Sequence, residues 1–145
     1  MKRVLLDPRV ILYALGGSSA HIVSCRRVLA LGADSQLRFE APTDLVREVL
    51  HHRARRLGDR TQAAAEALRA ALLCVLHPVE SQEVNMATAL FGGHPTLSAR
   101  GAIFVAFAQH HNLTTIISTD SDFDGLPGLR RIDPSDEAAL GALVE

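Results

Sequence analysis

The chain has 145 residues, 48% of them hydrophobic and 21% charged, with a formal net charge of −1. That is one globular domain, residues 1–145, long enough to bury its own core, and it excludes a disordered chain. No apolar run nears the roughly 18 residues a membrane span needs, and a net charge so close to zero gives no global basic field for nucleic acid.

The N-terminus reaches Asp7 too soon for a signal peptide. Cys25 and Cys74 are far apart in sequence, so inert thiols in a reducing compartment, by default the cytoplasm, are expected.

Val4-Leu5-Leu6 reads as a first buried strand ending at Asp7. Asp7-Pro8 then resembles a helix start, with Asp as N-cap and Pro at the first helical position. That helix covers residues 10–15 and stops at Gly16-Gly17. A second helix fits residues 20–31, with Gly32 as its C-terminal stop, and residues 37–41 form a short strand.

Pro42-Thr43 opens a third helix, to about Leu57, with Leu45, Val46, Val49, Leu50, Ala54 and Leu57 as its apolar stripe. Glu48 lies almost opposite that stripe, on the polar face. An Ala-rich helix follows over residues 61–73, then an extended segment over 74–79, broken by Pro78. Ser81 caps a helix to Phe91, before Gly92-Gly93, and Ser98 caps another over 99–111. Thr114 to Ile117 is β-branched throughout and reads as a strand buried on both faces. A strand at 129–132 and a last helical turn after Pro134 complete the chain.

Strands alternating with helices predict an α/β protein, a three-layer α/β/α sandwich on a short, mainly parallel sheet. Parallel strands share a direction, so Asp7 and Asp120, each following a strand, are expected on one sheet edge, where open α/β sheets bind ligands. Asp120, Asp122 and Asp124 form a carboxylate cluster closed by Gly125, Pro127 and Gly128. Such a pocket suits Mg²⁺ or Mn²⁺, hard cations that take oxygen ligands, and an Asp-rich surface turn is the plain alternative.

Arg47, Arg53, Arg55, Arg56 and Arg60 crowd one segment, as phosphate contacts or as a solvated helix face. The adjacent pairs His51-His52 and His110-His111 point about 100° apart on a helix, so neither is expected to clasp one ion. Tyr13 and five Phe, without Trp, leave little surface for base stacking.

Four segments together resemble the PIN-domain ribonucleases, specifically the VapC-type toxins of bacterial toxin–antitoxin pairs. They are VLLD with the ILYAL that follows, REVLHHRARR, LSARGAI, and ISTDSDFDGLPGLRRIDP. The resemblance implies a Mg²⁺- or Mn²⁺-dependent endoribonuclease, often a homodimer, silenced by a small antitoxin, with RNA as substrate. Asp7, Glu48, Asp120 and Asp122 fall at the family's acid positions, as metal ligands and catalytic residues. Arg9, Arg53 and Arg56 would contact RNA.

The sequence departs from the family pattern at Gly101, where an Asp is usual, at Pro8 and Arg9 after the first acid, and at Phe104, where a His is common. These departures keep a second reading open, a degenerate PIN domain that binds antitoxin and cleaves little. A receiver-type module wants a lysine after a late strand, which Lys2, the chain's one lysine, cannot supply.

Overall fold

The computed structural model describes residues 1–17 and 19–145. Strands β1 (Lys2–Leu6), β2 (Leu37–Pro42), β3 (Cys74–His77), β4 (Thr115–Ile117) and β5 (Arg130–Ile132) form one parallel sheet in the order β3-β2-β1-β4-β5. The chain starts in the middle, winds outward to β3, then returns to the other side of β1. The strand order therefore reverses between β1 and β4, and the crevice beyond the carboxyl ends of those two strands is where such sheets place a ligand.

Helices α1 (Pro8–Leu15), α2 (Ile22–Ala33), α3 (Asp44–Leu57), α4 (Arg60–Leu73), α5 (Ser81–Gly93), α6 (Ala99–His110) and α7 (Glu137–Val144) flank the sheet. Successive residues of β2 show its two faces. Phe39 packs against α2 at Gly32, while Glu40 meets His77, whose ring lies on Phe107 of α6. Val4, Leu5, Leu6, Ile116 and Ile117 are fully buried, as their unbroken apolar runs predict. No helix among the described residues is long and apolar enough to cross a membrane. Burial pushes the Cys25 thiol up to about 11 and the Cys74 thiol to about 12, so neither is a reactive thiolate near neutrality.

Four local expectations give way in the structure. Gly32 does not end α2, which runs to Ala33 and stops where Ser35 turns to a φ of 58°. Gly32 is instead a close-approach residue, since a Cβ there would lie 2.3 Å from Cε2 of the buried Phe39. Gly32→Ala is therefore expected to destabilise the fold by about 1–3 kcal/mol through overpacking, despite the better helix propensity of Ala. Denaturant unfolding checks this.

Likewise, Gly92-Gly93 lies inside the last turn of α5. The tail forms all of α7, capped by Asp136 and anchored by buried Leu140 and Leu143. On α3, Leu45 and Val49 are buried but Leu50 is 41% exposed. The next inward position belongs to Arg53, which faces Glu66 of α4.

Candidate active site

Asp7 sits at the junction of β1 and α1. Its amide donates to the Ile117 carbonyl of β4, and its Oδ1 caps α1 by accepting from the Arg9 amide at 3.1 Å. The register that pairs Leu6 with Ile117 brings Ser118 alongside, and the buried Ser118 hydroxyl donates to Asp7 Oδ2. The same hydroxyl oxygen accepts from the Asp120 amide at 2.9 Å, so one serine fixes both acids. Asp7 is 1% exposed. Burial raises its carboxyl above the ordinary range, against the opposing pull of the Ser118 hydroxyl, the Arg9 amide and the guanidinium groups of Arg100 and Arg9.

Glu48 approaches from α3 with its side chain 12% exposed, and Oε2 lies 3.3 Å from His52 Nε2. Arg100, in the first turn of α6, puts Nη1 3.8 Å from Glu48 Oε2 and 3.8 Å from Asp7 Oδ1. Two carboxylates from distant parts of the chain thus converge on one positive point. Asp120 is drawn to the same notch through Ser118, and its Oδ2 pairs with Arg9 Nη1 at 2.7 Å.

The other acids of this segment stand apart. Asp122 is exposed on a 3₁₀ turn (Ser121–Phe123), where its amide donates to Asp120 Oδ1. Asp124 accepts a forked contact from Arg131, at 2.7 and 3.1 Å, which holds its carboxyl below the usual range. Arg100 thus faces both Asp7 and Glu48, and Ser118 links Asp7 to the Asp120 backbone, but the oxygens of the three acids do not all lie within 4.8 Å of one another among the described residues.

Gly101 is buried in the first turn of α6, and its amide donates to the Ser98 cap at 2.9 Å. A Cβ there would meet Ser98 Oγ at 3.1 Å, and Leu97 and Phe123 at ordinary contact distances of 3.5 and 3.6 Å. Only a small shift of one hydroxyl separates this position from an ordinary side chain, so neither backbone nor packing demands a glycine.

Among the arginines expected to contact RNA, Arg53 is 8% exposed, with Nε 2.6 Å from Glu66 Oε2, so most of its guanidinium is committed to that buried pair. Arg9 stays 41% exposed at the side chain. Arg56, with Arg53, His52, Tyr13 and Gly17, lines an open cleft of about 380 Å³ that His52 connects to Glu48. Ser118 and Arg100 are site residues that sequence reasoning passed over. The one signal for Ser118 was its place directly after a buried strand.

The donor set is all oxygen, supplied by three carboxylates, which suits a hard dication. Both 3.8 Å distances to Arg100 exceed a hydrogen bond, so the guanidinium marks an electrostatic focus without sealing it. Arg9 and Arg100 face these acids, and Arg47 Nη2 lies 3.6 Å from Glu48 Oε1, so three guanidinium groups stand against the three carboxylates.

No protein-family model matches the chain. It is 29% identical over 130 residues to ribonuclease VapC13 of Mycobacterium tuberculosis, covering 89% of this chain and 98% of that protein. Its fold matches that of M. tuberculosis VapC20, described as a sarcin-ricin-loop-cleaving toxin, with a TM-score of 0.70 at 16% identity over 88% of this chain and 98% of that one. It also matches VapBC2 from Rickettsia felis, solved on a DNA fragment from its promoter, with a TM-score of 0.68 at 10% identity over 92% and 98% of the two chains. The class defined by this sheet and its flanking helices is the PIN-domain fold. Within it, the resemblance to VapC-type toxins drawn from the sequence holds over most of the chain.

Proposed function

We propose that this chain is the toxin of a toxin–antitoxin pair and a divalent-metal-dependent endoribonuclease that hydrolyses RNA phosphodiester bonds. The observation that carries this reading is the convergence of Asp7 Oδ1 and Glu48 Oε2 on a single cationic point, beside Asp120 on the same serine. Asp7, Glu48 and Asp120 would hold Mg²⁺ or Mn²⁺, with Asp122 in reserve on the neighbouring turn. When bound, the ion supplies an acidified water and stabilises charge on the phosphodiester.

Ser118 holds the Asp7 carboxylate and the Asp120 backbone against the sheet edge, so the Asp7 oxygens need little reorganisation. Arg9 and Arg100, once exchanged from carboxylates, present forked donors to backbone phosphates, and Arg56 extends that contact along the cleft. RNA is the proposed substrate. Relatives named as ribonucleases and neighbours solved as VapBC complexes support the proposed activity and antitoxin partner. A homodimer is proposed on the same resemblance.

A specific observation favours a second reading. Gly101 contributes no acid, and three guanidinium groups already stand against the acids of the notch, as in a module that binds antitoxin and cleaves little. Cleavage of a structured RNA by wild type and Gly101→Asp, with Mg²⁺, Mn²⁺ or EDTA, separates the two. The nuclease reading expects slow cleavage by wild type, a gain on the order of 10²–10³-fold from the added carboxylate, and none with chelator. Absence of cleavage by both proteins favours the binding module.

A further inference from the structure

A second polar cluster lies at the opposite end of α6, about ten residues and roughly 15 Å of helix from Arg100. Glu83, in the first turn of α5, is fully buried. Its Oε2 lies 2.8 Å from His110 Nδ1 and 3.6 Å from His111 Nε2, and its Oε1 has no hydrogen-bond partner among the described residues. The His111 ring packs against Phe107 and His77, with centroids 4.2 and 4.5 Å away.

The expectation that adjacent histidines point too far apart to clasp one ion bears on this cluster. It assumed a continuous helix, but α6 ends at His110 and His111 is the cap, with φ −94° and ψ 8°. The two rings therefore both turn to one carboxylate.

A buried carboxylate needs a compensating charge. The nearby arginines do not provide it, because Arg3 and Arg38 both contact Glu40, as does His77 through Nε2. The three ligand atoms already lie within 4.8 Å of one another. Tetrahedral ligands on Zn²⁺ at about 2.0–2.1 Å sit roughly 3.4 Å apart, so closure takes movements of about 1 Å. Both histidine side chains are about a quarter exposed, 27% and 22%, which leaves a mouth for entry and a position for water.

We propose that Glu83, His110 and His111 form a Zn²⁺ site of the one-carboxylate, two-imidazole type, separate from the acidic notch of Asp7 and Glu48. Imidazole donors select a borderline ion of the Zn²⁺ class over Mg²⁺. The site ties the start of α5 to the end of α6 and is placed to stabilise that pair of helices.

The test is isothermal titration of the full chain with Zn²⁺, alongside its thermal unfolding, for wild type, Asp7→Asn, His110→Ala and His111→Ala. The two side chains are 27% and 22% exposed, and far-UV circular dichroism verifies that each variant is folded before titration. The expected result is one Zn²⁺ equivalent in wild type and Asp7→Asn, which also raises Tm. In either histidine variant, affinity should fall by at least about 100-fold and the Tm response should disappear. Equal Zn²⁺ binding by the histidine variants, loss of it with Asp7→Asn, or no saturable binding in wild type would each overturn the proposal and leave a histidine–glutamate contact only.

Discussion

Asp7→Asn is expected to reduce RNA cleavage about 10³-fold while the protein stays folded, with a Tm at or above that of the wild type. The loss follows from removing the one carboxylate that is both buried and aimed at the shared cationic point, a preorganised group of the kind that carries factors of this size. The fold survives because Asn is as good an N-cap as Asp and its amide can still face Ser118.

Stability should change in a pH-dependent way whose sign is fixed by the raised carboxyl of Asp7. Unfolded, Asp7 ionises near its ordinary value of 3.8; folded, it holds its proton to higher pH, chiefly because it is buried. Its favourable contribution is complete below the unfolded value and is lost as pH rises through the folded one. The Tm advantage of Asp7→Asn should therefore be small near pH ~4 and grow toward neutrality. Mg²⁺ should narrow it by stabilising only the wild type. Unfolding scans at both pH values, with and without Mg²⁺, check these outcomes, and undiminished cleavage by Asp7→Asn would remove Asp7 from the chemistry.

Arg53→Ala is expected to cost about 3 kcal/mol of stability, visible as a large fall in Tm. Arg53 and Glu66 are both less than a tenth exposed and meet through a fork, with contacts of 2.6 and 3.3 Å. Truncating the arginine strands a buried carboxylate beside the weaker 3.4 Å contact from Gln62. Replacing both partners, as in Arg53→Met with Glu66→Leu, should recover most of the loss, because the pair is repaid only while both members are present.

The Arg53 bond holds the Glu66 carboxyl below its ordinary range. The pair's contribution is therefore present above the unfolded value of 4.5 and lost as pH falls through the lower folded one. An Arg53→Ala protein with unchanged Tm and weakened RNA binding would mark this residue as an RNA contact and contradict its structural role.

What could be read from the sequence was local or periodic. Asp7-Pro8 announces its own helix start, and the β-branched run before Asp120 announces a buried strand. Because both strands belong to a parallel sheet, the shared edge followed. The exact neighbours did not, since they depend on register. Only the pairing of Leu6 with Ile117 puts Ser118 beside Asp7, and in sequence Ser118 looks like the first residue of a turn.

Arg53 was hidden for a related reason. It occupies an inward position of α3 because Glu66 waits on α4, while Leu50, equally apolar in the pattern, faces outward. Gly32 gives the local signal of a helix stop, and Phe39 turns it into a packing contact. His110 and His111 both approach the Glu83 carboxylate because the helix ends between them, which periodicity does not reveal.

The notch itself is tested most directly by anomalous diffraction from crystals soaked in Mn²⁺. A peak is expected within about 2.0–2.3 Å of Asp7 Oδ1 and Glu48 Oε2, with the Arg100 guanidinium withdrawn from between them. Clear density for Arg100 still bridging the two carboxylates at saturating Mn²⁺, with no peak beside Asp7, would contradict a metal centre formed by these residues.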